Sequence, residues 1–193
     1  MAYSQRLIDA FTYAADLHAD QTRKGTGVPY ITHLMAVGAL VGEHGGSEDQ
    51  VIAALLHDAV EDQGGKRTLD AIRTRFGEPV AEYIAACSDT DVHPKPPWRE
   101  RKEAFVVRTR TACPEAKLII AADKLHNMRS LTVIIRREGH AVWERFRGGR
   151  EGTAWYHRAM LEALGTAWRH PILDELDDAL AVLHRAESDA AQA

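Results

Sequence analysis

The stretch ALLHDAVED, residues 54 to 62, constrains the fold more than any other, because an apolar helical face runs straight into a cluster of ionisable side chains. Ser47 with Gln50 three residues on reads as a capping box. Val51, Ile52, Ala54, Leu55, Leu56, Ala59 and Val60 then supply a broad buried face at helical spacing. A face meant only for packing would not also carry His57, Asp58, Glu61 and Asp62. Continued as one helix, the segment sets 57 beside 61, and 58 beside 61 and 62, so that an imidazole and several carboxylates meet within a turn. Acids that close repel one another unless a cation or a set of donors sits among them. The stretch therefore predicts a buried polar site as well as a helix.

On either side the chain reads as helix after helix with short punctuation. Amphipathic spacing predicts helices over Ser4 to His18, about Thr32 to Glu43, Thr68 to Phe76, Glu78 to Cys87, Arg99 to Thr111, and Pro114 to about Arg137. Two more are expected over Thr153 to Trp168 and Pro171 to Ala186. Loops fall at QTRKGTGVPYI, at SDTDVHPKPPW and at RGGREG, where Gly and Pro interrupt the pattern. No alternation long enough for a sheet is present, so the class is all-α. At 193 residues the expectation is a single domain over 1–187, with 188–193 as a frayed tail. A formal charge of -4 gives no drive toward nucleic-acid polymers, and no stretch reads as a signal peptide or a membrane span. Cys87 and Cys113 make no disulfide framework, which fits a reducing cytoplasm.

A further polar position lies in KLIIAADKLHNMRSL, where Asp123 falls inside an apolar run and Asn127 follows one turn later. An unpaired carboxylate there would cost several kcal/mol, so it requires a metal, a base or a cap. His33, His57, Asp58 and Asp123 together offer two imidazoles and two carboxylates. That set suits a divalent ion such as Mn, Fe or Zn, and the lack of cysteine argues against a closed structural zinc site. Each has a plainer reading: His33 as a core or capping histidine, Asp123 as a buried hydrogen-bonding residue. Glu61 and Asp62 read equally as a solvated helix end, and Arg23 and Lys24 as a surface charge pair.

The motifs RKGTGVPYITH, AALLHDAVED, FGEPVAEYI and AKLIIAADKLHNMRSL resemble the HD superfamily of metal-dependent phosphohydrolases, whose H…HD…D pattern is matched by His33, His57-Asp58 and Asp123. Within it the chain is similar to the hydrolase domain of RelA/SpoT homologues, and most of all to the stand-alone small alarmone hydrolases. The resemblance implies a compact helical fold with a metal site in a central cleft and one Mn(II) per chain. It also implies a nucleotide substrate: removal of the 3′-pyrophosphate of guanosine tetra- or pentaphosphate, giving GDP or GTP, in the cytoplasmic stringent response. The length leaves no room for the synthetase and regulatory domains of the long homologues. By resemblance, Glu61 and Asp62 orient and deprotonate water. Arg23 and Lys24 hold phosphate or stack on the base, and Asn127 bonds sugar or phosphate. Gly25 and Gly27 let their loop close, Tyr30 packs, and Lys124 and Arg129 are structural.

Departures from the family concern the far side of the pocket. Trp98 stands where many relatives carry a lysine before an ERK-like stretch, here RERK from Arg99 to Lys102, which leaves Lys95 and Arg99 as candidates for the 5′ phosphates. In RFRGGREGTAWYHR, Arg150 and Tyr156 are the candidates for an arginine and a tyrosine that the small hydrolases place a turn apart, although the spacing differs and Trp155 and Tyr156 fit equally as core aromatics. Two alternatives stand beside this reading: the same chemistry on an adenosine 3′-pyrophosphate or a nucleoside monophosphate, and a non-catalytic nucleotide-binding module. The sequence admits a homo-oligomer without specifying one.

Overall fold

Ser4 begins the fold by accepting from the Arg6 amide and capping α1 (Gln5–Leu17) in the computed structural model, which describes residues 3–24, 26–90 and 94–190. The next loop is pinned by an isolated antiparallel bridge between Thr22 and Pro29. The Arg23 amide donates to Val28 O at 2.7 Å and the Tyr30 amide to Gln21 O at 2.9 Å, so both side chains leave from a closed loop. Gly27, at φ +68°, makes the tight return; Gly25 lies outside the described residues. α2 (Ile31–Glu43) follows, with His33 in its first turn. α3 (Glu48–Leu56) opens with the expected capping box on Ser47 and Gln50. It packs on α2 at Gly38, where an added Cβ would stand 3.2 Å from Leu55.

Residues 47–62 are not one helix. His57 Nδ1 lies 2.7 Å from the Ala54 carbonyl, the acceptor that the Asp58 amide would use if the helix continued. The helix stops at Leu56, and a single turn, α4 (Ala59–Asp62), restarts beyond Asp58. The predicted meeting of positions 57 and 58 with 61 and 62 on one continuous helix is therefore corrected. The break leaves His57 almost wholly buried, while Glu61 is half-buried and Asp62 exposed.

α5 (Lys66–Phe76) and α6 (Glu78–Cys87) complete the first half. Of the Pro-rich segment after α6, residues 91–93 lie outside the described residues. α7 (Trp98–Thr111) leads to α8 (Pro114–Glu138), which packs against α2, α3, α6 and the later helices. Leu118, Ile119, Ile120, Ala121, Ala122 and Leu125 bury the first half of α8 on nearly every side. Each large aliphatic side chain there contributes roughly 1.5–3 kcal/mol by leaving water. A 3-10 stretch, Gly139–Arg145, turns the chain into α9 (Gly149–Leu164), and α10 (Ile172–Ala190) lies back along α8. α9 begins inside RGGREG, which was expected to be wholly loop, and stops at Leu164 rather than Trp168. Ser188, Asp189 and Ala190 belong to α10 rather than to a frayed tail. Among the described residues there is no strand beyond the isolated bridge, and no helix long and apolar enough to cross a membrane.

Candidate active site

Three elements bring the expected ligands together: the first turn of α2 supplies His33, the break between α3 and α4 supplies His57 and Asp58, and the middle of α8 supplies Asp123. His57 Nε2 stands 3.1 Å from Asp58 Oδ2 and 3.7 Å from Asp123 Oδ1; His33 Nε2 stands 3.2 Å from Asp123 Oδ1 and 3.6 Å from Asp58 Oδ2. Ligand atoms placed about 2.1 Å from one ion lie roughly 3–3.5 Å apart; His33, His57 and Asp58 offer atoms all within 4.8 Å of one another and suit a shared divalent cation, with Asp123 beside both imidazoles. Both Nε2 atoms are buried and lack a hydrogen-bond partner. An ion would satisfy both imidazoles at once, and the residues present therefore fit a metal.

Partners behind the ligands set their orientation. The short contact from His57 Nδ1 to the Ala54 carbonyl assigns the proton to Nδ1 and leaves the Nε2 lone pair facing the site. His33 Nδ1 lies 2.8 Å from Nδ1 of His126, three residues after Asp123. Burial and the neighbouring His33 lower the His126 pKa to about 4, so it stays neutral and accepts from His33. Tyr30 donates to Asp58 Oδ2 at 2.6 Å and is a direct partner of the ligand set, not only the packing residue expected. Burial and the adjacent Asp58 raise its pKa, which keeps the phenol a donor. Burial alone would raise both ligand carboxyls, yet His57 beside Asp58 and Lys124 beside Asp123 outweigh it and hold them well below the usual range. These carboxylates also hold His57 well above its usual pKa against burial, so the site favours positive charge, and a cation bound there takes the place of a proton on Nε2.

The ligand atoms sit beside a cleft of about 620 Å³, within the range of small-molecule sites. Arg23, Lys24, Lys95, Arg101, Lys102, Lys124 and Arg147 line it, opposed by Glu61 and Asp62. Glu61 Oε1 is 2.9 Å from Lys95 Nζ and 3.7 Å from Arg101, so its ion-pair partners are these cations. Burial and then the nearby Asp89 raise the Glu61 pKa. Asp62 accepts from Gln21 at 2.9 Å and pairs with Lys95 at 3.4 Å. Arg23 donates to Asn127 Oδ1 at 2.7 Å, and Asn127 Nδ2 donates to Asp123 Oδ1 at 2.5 Å. A cleft cation is thus wired to a ligand carboxylate through both ends of the Asn127 amide.

Some expected residues lie elsewhere. Arg99 is exposed, pairs with Glu103 and covers the Trp155 ring at 3.4 Å, away from the cleft lining. The inward face of α7 carries Trp98, Arg101, Lys102, Phe105 and Thr109, a helical spacing that rotates Arg99 outward. Arg150 lies in the first turn of α9 and faces Glu187 at 3.6 Å, while Arg147, just before the helix, is the arginine in the cleft. Lys124, expected to be structural, lines the cleft and holds Asp123 Oδ2 at 2.6 Å; Arg129 pairs with Glu175 and is indeed outside it. Tyr156 lines the cleft with its hydroxyl buried and unpartnered, near Trp98 and Lys102. Sequence reasoning missed Asp89, Arg101, Lys102, His126 and Arg147. The spacing of Arg101 and Lys102 from Phe105, and of His126 from Asp123, were the signals available.

The HD domain family matches residues 10–154. The chain belongs to this family. Its HD-domain relatives include the guanosine-3′,5′-bis(diphosphate) 3′-pyrophosphohydrolase MESH1 of Mus musculus, 39% identical over 129 residues, which are 65% of this chain and 69% of the mouse protein. The bifunctional (p)ppGpp synthase/hydrolase SpoT of Escherichia coli is 37% identical over 66% of this chain but only 18% of its own length. Among solved structures, a metazoan SpoT orthologue reported to hydrolyse ppGpp superposes with a TM-score of 0.75 at 25% identity, covering 97% of this chain and 99% of its own. A Listeria monocytogenes protein superposes at 0.71 with 30% identity, covering 79% and 99%.

Proposed function

We propose that this HD-domain protein is a metal-dependent pyrophosphohydrolase that removes the 3′-pyrophosphate of ppGpp and pppGpp, giving GDP or GTP and pyrophosphate. The observation that carries the reading is the convergence of His33, His57, Asp58 and Asp123 near Glu61, which itself lines a cation-lined cleft. Relatives named for this activity support it. In this reading the four residues hold one ion per chain, and Mn(II) suits their borderline donor set. When bound, the ion lowers the pKa of water and polarises a phosphoryl oxygen. Glu61 accepts a proton from the attacking water, and Asp62 with Lys95 keeps that carboxylate in place. Water oxygen joins the phosphorus, the bond to the ribose 3′ oxygen breaks, and that oxygen gains a proton. Arg23, Lys24, Lys95 and Arg147 bind phosphate oxygens, while Tyr156 and Trp98 bound the nucleoside. A cytoplasmic nucleotide and two free thiols suit a reducing compartment.

Purified protein is assayed under Mn(II) against guanosine and adenosine 3′-pyrophosphates and nucleoside monophosphates, with release of pyrophosphate as the readout. Guanosine 3′-pyrophosphates are the expected substrates. Preferential release of inorganic phosphate from monophosphates, or hydrolysis of the adenosine compound alone, overturns the assignment.

A further inference from the structure

Trp98, the first residue of α7, lies against the start of α9. A Cβ added at Gly148 would stand 2.5, 2.7 and 2.9 Å from Cη2, Cζ2 and Cζ3 of the indole, and one added at Gly152 would stand 3.1 and 3.3 Å from Cζ3 and Cη2. Gly148 has a right-handed backbone, φ -82° and ψ -9°, which any residue adopts, so its conformation does not call for glycine. The indole alone calls for it. Two glycines one turn apart thus form a seat that fixes the far end of the ring.

The seated ring is more than core packing, because it is half-buried and lines the cleft with Gly148, Thr153, Tyr156 and His157. Trp155 and Tyr156 meet it edge to face, at 72° and 70°, so neither lies flat on the indole. The cations that flank Trp98 in sequence are engaged elsewhere: Lys95 by Glu61 and Asp62, Arg99 by Glu103. Beside the ring, Tyr156 and His157 are each more than nine-tenths buried yet keep Oη and Nδ1 without a protein partner. A ligand for this corner has a flat apolar face with polar atoms at its edge, which describes a nucleobase and not a phosphate. Resting on the hydrolase reading above, we propose that Trp98 is the specificity-determining residue for the base: Gly148 and Gly152 hold its indole where the purine of the substrate stacks on it. The cleft cations are then left to the phosphates. Stacking depends on ring area more than on ring substituents, so this wall separates purine from pyrimidine nucleotides.

Calorimetry on the full chain with Mn(II), using GDP, UDP and pyrophosphate as probes, tests the contact without reliance on turnover. Wild-type protein should bind GDP more tightly than UDP. Trp98→Ala should weaken GDP about 10–100-fold, the scale of one base–aromatic stack, close the gap between GDP and UDP, and leave pyrophosphate within about twofold. Trp98→Phe should restore part of the GDP affinity. Gly148→Ala keeps the indole but fills its seat; it should reproduce the loss, and should add nothing in a Trp98→Ala background. In turnover, KM should rise with kcat nearly unchanged, as for a contact made equally in ground and transition states. Equal weakening of GDP and UDP, comparable weakening of pyrophosphate, or wild-type GDP affinity in Gly148→Ala makes Trp98 a packing residue and overturns the proposal. Should Trp98→Ala fail to fold, Gly148→Ala and Trp98→Phe decide. Wild-type protein that binds GDP but hydrolyses no nucleotide would defeat the hydrolase reading instead, and the binding comparison would still decide this one.

Discussion

At the inner end of the site, beyond the cleft lining, His33, His57, Asp58 and Asp123 are set by helix ends and by hydrogen bonds behind them, whereas Lys24, Lys95 and Arg147 at the cleft rim leave from loop residues. At the inner end each ligand has a partner fixing its direction: Ala54 O for His57, His126 for His33, Tyr30 for Asp58, and Lys124 with Asn127 for Asp123. At the rim, Lys24 is exposed and rests over Phe146 at 5.5 Å, and burial together with Arg147 lowers its pKa. The difference matches two tasks. An ion demands preset geometry, while a flexible polyphosphate is held by charge that can adjust.

The largest effect is expected where the geometry is preset. His57→Ala should yield dialysed protein without bound metal and turnover lower by about 10³-fold or more, because several kcal/mol of charge stabilisation go with the ion. Stoichiometric metal in that variant would break the contrast between the two ends.

Glu61 stands at the junction. Glu61→Gln should keep metal and nucleotide affinity while kcat falls about 10²- to 10⁴-fold. Burial and then Asp89 raise the Glu61 pKa, and only the ionised form is a base. The acid limb of kcat should therefore lie above the pH of an ordinary carboxylate and vanish in the variant. Loss of metal from Glu61→Gln would instead make Glu61 a ligand and move it to the inner end.

Rim cations should separate by position. Arg23→Ala is expected to raise KM roughly 30-fold with a smaller change in kcat, the scale for losing a partly desolvated phosphate contact. Arg99→Ala and Arg150→Ala, whose side chains face Glu103 and Glu187, should stay within about twofold. Equal losses in all three would erase the distinction between cleft and surface arginines.

The smallest effect is on stability. His157, buried on α9 behind the rim, has its pKa lowered from 6.5 to about 3, first by burial and then by Lys124. The unfolded chain takes up a proton that the folded chain refuses, so stability is lost as pH falls from 6.5 toward about 3. Urea midpoints measured across that range should fall less steeply in His157→Gln. Identical slopes would mean that the buried imidazole does not contribute.

Local spacing made much of the inner end legible. The capping box at Ser47, the apolar run into His57 and Asp58, and Asp123 inside the buried half of α8 are all visible in the chain itself, and each bears out an all-helical fold. The continuous helix from 47 to 62 was the error there. Periodicity cannot register that a histidine side chain takes its own helix carbonyl.

Sequence by itself determined which residues are chemically able to hold an ion, and that helices would carry them, because both follow from side-chain type and short-range spacing. Tertiary structure alone decided the rest: that Arg101 and Lys102 face inward while Arg99 does not, that Arg147 and not Arg150 reaches the cleft, and that Tyr30 touches Asp58. The reason is physical. A helix pattern states which residues share a face, but the rotation of that face toward a cleft is set by packing against partners far away in the chain.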